Sequence, residues 1–123
     1  MPPTEIVFYC DENGRVPLLD WLDGLPDRAC LKCLARLQRL EMLGHELRRP
    51  EADYLRDGIY ELRASFQGVH YQMLYFFSRT GVVVVSNGLI KEREVPAIEI
   101  DRAVRRQGQF EQAPDKHAFS GKR

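Results

Sequence analysis

Three cations at alternating positions of strand-like segments, Arg63, Lys91 and Arg93, are the residues of this chain best suited to chemistry on a phosphodiester. Side chains alternate between the two faces of a strand, so parity sorts them. Over 59–66, Tyr60, Leu62, Ala64 and Phe66 make an apolar face and leave Glu61, Arg63 and Ser65 on the open one. Over 69–77, His70 and Gln72 share a parity, and Tyr71, Met73, Tyr75 and Phe77 share the opposite one, while Leu74 and Phe76 make both faces partly apolar. From 82 to about 91, Val83, Val85, Asn87, Leu89 and Lys91 form one series, which reaches Arg93 if the strand continues; Glu92 and Glu94 then point the other way. A concave sheet face carrying Arg63, Lys91 and Arg93 can hold a phosphodiester. The plainer alternative is a set of ordinary exposed strand residues, with Arg63 paired to Glu61 and contributing little.

Two further patterns carry weaker chemistry. Arg28, Lys32, Arg36 and Arg39 line one face of a helical segment, which reads as a solvated helix face before it reads as a phosphate-binding stripe. Cys30-Leu-Lys-Cys33 has the spacing of half a zinc site or of a thioredoxin-like pair, but no second ligand pair accompanies it and no strand precedes it, so helix packing is the expectation and metal or redox use the minor alternative. With Cys10 the cysteines number three, an odd count in a chain with no export signal, which points to reduced thiols.

The chain has 123 residues, about one domain's length. Hydrophobic residues at 44% and charged residues at 29% argue against disorder or a fibrous repeat. Eighteen basic and eighteen acidic side chains cancel, whereas nucleic-acid binders usually carry a basic excess. The distribution is uneven: residues 1–50 and 51–95 each carry one net negative charge, and residues 96–123 carry two net positive. The start lacks the basic and apolar regions of a signal peptide, and no apolar run reaches the ~20 residues of a membrane span. A soluble, cytoplasmic protein with no membrane partner is expected.

The elements that must position these residues follow from periodicity. Ile6-Val7-Phe8-Tyr9 reads as a strand closed by the turn cluster Asp11-Glu12-Asn13-Gly14. Pro17 opens a two-turn helix that Gly24 ends. Cys30, Leu31, Cys33, Leu34, Leu37 and Leu40 recur at helical spacing over Asp27–Leu43, with Gly44 as the stop. Three β-type runs, 59–66, 69–77 and 82–91, are joined by connections short enough for antiparallel hairpins, a three-strand meander. Pro96 opens a last helix with Ile100, Ala103, Val104 and Gln107 on one side and Arg102, Arg105 and Arg106 towards another. From about Gln109 periodicity is lost. The expected fold is α+β: N-terminal strand, two helices, three-strand meander and C-terminal helix in a domain over 1–108, with a flexible tail over 109–123.

The block Tyr54-Leu55-Arg56-Asp57-Gly58-Ile59-Tyr60-Glu61-Leu62-Arg63, then Tyr71-Gln72-Met73-Leu74-Tyr75-Phe76-Phe77, then Asn87-Gly88-Leu89-Ile90-Lys91, then Pro96 before a helix, resembles the HigB-like branch of the RelE/ParE toxin superfamily. Pro17, Asp20-Trp21-Leu22 and Leu25-Pro26 resemble it as well, and the likeness covers roughly residues 5 to 107. The resemblance implies the toxin of a type II toxin–antitoxin system, held inactive by a cognate antitoxin protein and cleaving mRNA on the ribosome. It implies no metal and no cofactor, because the RNA's own 2′-hydroxyl attacks the adjacent phosphate. The protein then orients that hydroxyl, neutralises developing charge and moves protons. Arg63 matches the arginine of the "ELR" block and would clamp the phosphate with its planar fork. Lys91 matches the first lysine of a "GFxKK" segment and would stabilise charge or transfer a proton. Arg93 has no counterpart there, but parity sets it beside Lys91.

Three positions depart from the pattern. Gln72 stands where the branch has arginine, Asn87 where it has histidine, and Glu92 where it has a second lysine. Loss of one charged transition-state contact costs about 3–4 kcal/mol, and loss of an acid or base removes about two to four orders of magnitude. Gln72, His70 and Asn87 are the expected substrate-binding residues, with His70 as a substitute acid–base. A toxin fold that binds antitoxin or ribosome but cleaves weakly or not at all is the alternative reading, and gyrase inhibition in the manner of the ParE branch is a weaker third.

Overall fold

The computed structural model describes residues 3–91 and 94–120. In chain order it has β1 (Ile6–Tyr9), α1 (Pro17–Asp23), α2 (Asp27–Leu43), a 3-10 turn (Gly44–Glu46), β2 (Ala52–Arg56), β3 (Ile59–Phe66), β4 (Val69–Phe77), β5 (Val83–Lys91), α3 (Ala97–Gln112), α4 (Pro114–His117) and β6 (Ala118–Phe119). One six-stranded sheet runs in the order β2-β3-β4-β5-β1-β6. It is antiparallel except where β1 lies parallel to β5. The fold is therefore α+β, with more strands than the sequence suggests.

Two of these strands escape a reading by periodicity. Ala52–Arg56 is short and shows no clean apolar alternation. It is a strand because the Asp57-Gly58 turn folds it back onto β3, both residues taking the positive φ (53° and 85°) of a tight hairpin. Gln67-Gly68 turns β3 into β4 in the same way, as the hairpin spacing predicts. At the other end, the expectation of a tail without regular structure from Gln109 is corrected for 109–120. There α3 continues to Gln112, and β6 pairs with β1 through Phe8–Phe119 and Tyr9–Ala118. The His117 ring stacks on Tyr9, with centroids 5.3 Å apart, so long-range packing orders this segment where local periodicity is silent.

Helices cover both faces of the sheet. On one, Leu18 and Leu22 of α1 and Ala29, Cys33, Leu37 and Leu40 of α2 pack on Leu62, Ala64, Tyr71, Met73 and Tyr75. Leu31 and Leu34, expected in this stripe, are exposed, because the buried rows of α2 are those of Ala29-Cys33-Leu37-Leu40. On the other face, Ile100, Ala103 and Phe110 of α3 pack on Ile59, Leu74, Phe76 and Val84. The face of Arg63, read as the open one, is thus partly roofed by α3, whose footing is the Leu74 and Phe76 pair.

The strand β5 also breaks the single parity series read from 82–91. Leu74 faces Asn87 but Tyr75 faces Val85, which leaves Ser86 as an extra residue, a β-bulge. Val83 and Val85 therefore join the α1–α2 core, and Val84 and Leu89 join the α3 side.

Candidate functional site

Alternate rungs of β3, β4 and β5, which share a face, bring the expected site residues together. Arg63 pairs with Gln72 and Gln72 with Leu89; two rungs on, Ser65 pairs with His70 and His70 with Lys91. Paired residues share a face with Cβ atoms about 5 Å apart. Arg63, His70 and Gln72 are thus neighbours, and Lys91 joins them by register. Arg93 lies outside the described residues. Asn87 sits on the rung of Leu74 and Glu61, on the far side of Leu89 from Lys91.

Arg63 is tied down. Its Nε donates to Glu61 Oε1 at 2.5 Å and its Nη2 to Asp53 Oδ2 at 3.3 Å. Glu61 is 2% exposed, whereas the Arg63 side chain is 33% exposed, so the carboxylate is sealed and part of the guanidinium is not. Asp53 is shared with Arg49, whose Nη2 stands 2.7 Å from Oδ2. Hydrogen bonding from Arg49 holds the Asp53 carboxyl below its ordinary range against its desolvation, helped by the Tyr54 N–H and the charges of Arg49 and Arg63. Behind the strand, Arg36 Nε donates to the Arg63 carbonyl at 2.9 Å. Arg36 and Arg39 both bond Glu51, so half of the basic stripe on α2 is engaged in ion pairs.

The remaining positions differ in character. His70 is exposed. Gln72 is 3% exposed, and its Oε1 is buried with no hydrogen-bond partner, an uncompensated acceptor beside Arg63. Asn87 is engaged: Oδ1 accepts from Ser86 Oγ at 2.8 Å and from Arg106 Nη1 at 3.3 Å.

Arg106 is the polar residue that sequence reasoning missed. From α3 it reaches the bulge, donating to Ser86 Oγ at 3.2 Å, and its guanidinium lies over the Tyr9 ring at 5.1 Å. Burial among neutral acceptors pulls its pKa down, while burial pushes the Tyr9 phenol up. The available signal was spacing, since Arg106 lies three residues after Ala103 and four before Phe110, on the buried row of the helix.

Cys33 is fully buried and Cys30 partly so; burial first, and the neighbouring Cys30 second, push the Cys33 thiol up to about 11. Among the described residues no group of three or more His, Cys, Asp and Glu side chains converges as metal ligands would. Nor is any helix among them long and apolar enough to cross a membrane.

A mostly antiparallel sheet backed by helices on both faces, with a polar corner on β3 and β4, defines a small α+β protein. The family described as "Phage derived protein Gp49-like (DUF891)" matches residues 20–108, and the chain belongs to that family, a RelE/toxin-like family of toxin–antitoxin systems. The match runs from within α1 through most of α3 and contains the rungs of β3, β4 and β5 that carry the candidate residues. No curated protein matches the chain.

Proposed function

We propose that this protein is the toxin of a type II toxin–antitoxin pair, of HigB-like character, that cleaves mRNA on the ribosome and is neutralised by a cognate antitoxin in the cytoplasm. The observation that carries this reading is the clustering of Arg63, Gln72 and His70, with Lys91 in register, on alternate rungs of one sheet face in a chain of a toxin family. Arg63 clamps the scissile phosphate with the part of its guanidinium left exposed. Lys91 and Arg93 stabilise developing charge, and the exposed His70 contacts the RNA; Gln72 and Asn87, expected as contacts, are buried and support the rungs beneath it. The nucleophile is the substrate's own 2′-hydroxyl, so the reaction draws on positioning and charge stabilisation and uses no metal or cofactor.

Two observations favour the reading of a weakened toxin. Gln72, where the resembling branch has arginine, leaves Oε1 unpartnered, and Arg63 is shared between two carboxylates. Both features reduce the positive charge available to a phosphate.

Induction of the chain without its antitoxin is expected to arrest growth and translation, and Arg63→Ala is expected to relieve the arrest. Arg63→Lys is the companion variant: it keeps a cation beside Glu61 but loses the two-point grip on phosphate, so it relieves the arrest in a folded protein. Undiminished growth with abundant, folded wild-type chain sinks the nuclease reading and leaves the binding one.

A further inference from the structure

At the outer edge of the sheet, beside β2, a cavity of about 500 Å³ is lined by His45, Arg48, Arg49, Asp53, Tyr54 and Tyr60, among others. Its wall is aromatic and braced. Tyr54, 53% exposed, packs its ring edge-on against Tyr60 with centroids 5.0 Å apart. Tyr60 stacks on Tyr75 at 5.3 Å and meets Phe77 at 5.2 Å, and His45 stacks on Phe77 in turn. The Tyr54 hydroxyl accepts the Gly58 N–H at 3.0 Å, which fixes the far end of the ring. An exposed aromatic held this firmly is a platform, with little conformational freedom left to lose on binding.

The rim is cationic; Tyr54 and Tyr60 lie on the α1–α2 face and Arg63 on the α3 face, so the cavity meets the candidate site around the β2 edge, through Asp53. Arg49 pairs with Asp53, and the same Asp53 oxygen meets Arg63. Arg48 is exposed and, among the described residues, has no ion-pair partner. Aromatic faces take bases of any sequence, and arginines take phosphates.

We propose that this cavity is a single-stranded RNA subsite, in which one base stacks on Tyr54 while Arg48 and Arg49 hold the neighbouring phosphate, with Asp53 linking it to Arg63. The proposal rests on the reading above that the substrate is RNA. It adds a position along the strand, about one nucleotide in size, outside the rungs of β3 to β5.

The test is fluorescence anisotropy of the full chain with a 5′-labelled single-stranded RNA octamer, at several salt concentrations. Tyr54→Ala is expected to weaken binding roughly 5- to 150-fold, the range of one base–aromatic stack, and Tyr54→Phe, which keeps the ring but loses its bond to Gly58, to recover most of it. Arg48→Ala, an exposed position with no ion pair among the described residues, is expected to lower the salt slope by about 0.7, one phosphate contact on a single strand. Arg28→Ala, on α2, leaves both unchanged. Wild-type affinity in both Tyr54→Ala and Arg48→Ala overturns the subsite, as does displacement of the RNA by polyglutamate as readily as by unlabelled RNA. If these variants fail this way while Arg63→Lys still relieves growth arrest, the subsite falls and the nuclease reading stands. A wild-type chain that neither binds the octamer nor arrests growth removes both.

Discussion

Arg63 Nε lies 2.5 Å from Glu61 Oε1, two residues earlier on the same face of β3, and the carboxylate is almost wholly buried while the guanidinium is not. The asymmetry makes the two partners unequal in mutation. Removing Arg63 takes a counter-ion from a buried carboxylate; replacing Glu61 by glutamine leaves a cation that water can reach. Arg63→Ala should therefore cost more stability than Glu61→Gln in urea denaturation. The double variant should recover about 1–3 kcal/mol relative to additivity, the range for groups in direct contact. Additive losses would show that the pair contributes no coupling, and Arg63 would then be exposed in effect as well as in part.

Gln72 supplies the converse case, a buried polar atom without a partner. Leaving an acceptor unpaired costs about 1–3 kcal/mol, so an apolar residue of similar shape should relieve it. Gln72→Met is expected to raise the melting temperature, by roughly 3–6 °C for each kcal/mol relieved in a chain of this size. Gln72→Arg is expected to increase growth arrest at equal expression, since it returns a cation to the rung of Arg63. A lower melting temperature for Gln72→Met would mean that the amide is satisfied in solution.

These two residues also show how far the sequence reaches. Parity puts Arg63 on the non-apolar face of 59–66 and Gln72 with His70 in 69–77, and the two-residue Gln67-Gly68 hairpin makes Arg63 and Gln72 cross-strand partners. It also raises pairing with Glu61 as the plain alternative, and the ion pair is there. Parity cannot predict the Ser86 bulge, because an extra residue in a strand changes no composition and no period that can be seen locally. Everything upstream of the bulge therefore appears on the wrong face. Nor does local pattern show that Asp53 is shared between Arg49 and Arg63, since that depends on a strand, β2, which only its partner β3 stabilises. The bulge contact of Arg106 is the intermediate case: helical spacing puts it on the buried row, but its acceptors belong to β5.

Gly88 carries the second tight constraint of β5. It faces Met73 and lies under the Trp21 ring of α1, where a Cβ would overlap the indole carbons. Overpacking of this kind costs about 1–3 kcal/mol. Gly88→Ala is expected to lose that much by chemical denaturation, and Trp21→Leu in the same chain to return part of it, since the two sites share the contact. Strict additivity would place the strain elsewhere than the indole.

The Cys30-x-x-Cys33 spacing has a chemical test. Cys33 is buried with its thiol pushed up to about 11, so at pH 8 only about one molecule in a thousand carries the thiolate. A thiol-disulfide reagent at that pH should titrate Cys10 and Cys30 in the native chain, and Cys33 only after denaturant. Fast reaction of all three would show that α2 opens readily, and the packing reading of the motif would fail.

Glu111 links α3 to the β4–β5 turn, and through it the fold to pH. Its carboxylate accepts hydrogen bonds from Ser78 Oγ and, at 3.0 Å, from the Arg79 N–H. Burial alone would raise its pKa, but these bonds together with the Arg79 charge outweigh burial and hold it below the ordinary carboxylate range. The unfolded chain binds the proton more readily, near the ordinary pKa of about 4.3. The contribution of Glu111 is thus present above that value and disappears as pH falls through the lower folded pKa. Glu51 and Asp53, lowered by their arginines, act in the same direction. Glu111→Gln removes one of these linked groups. Between about pH 5 and pH 3 its urea midpoint should fall less steeply than that of the wild type; parallel curves would mean that Glu111 titrates alike in both states.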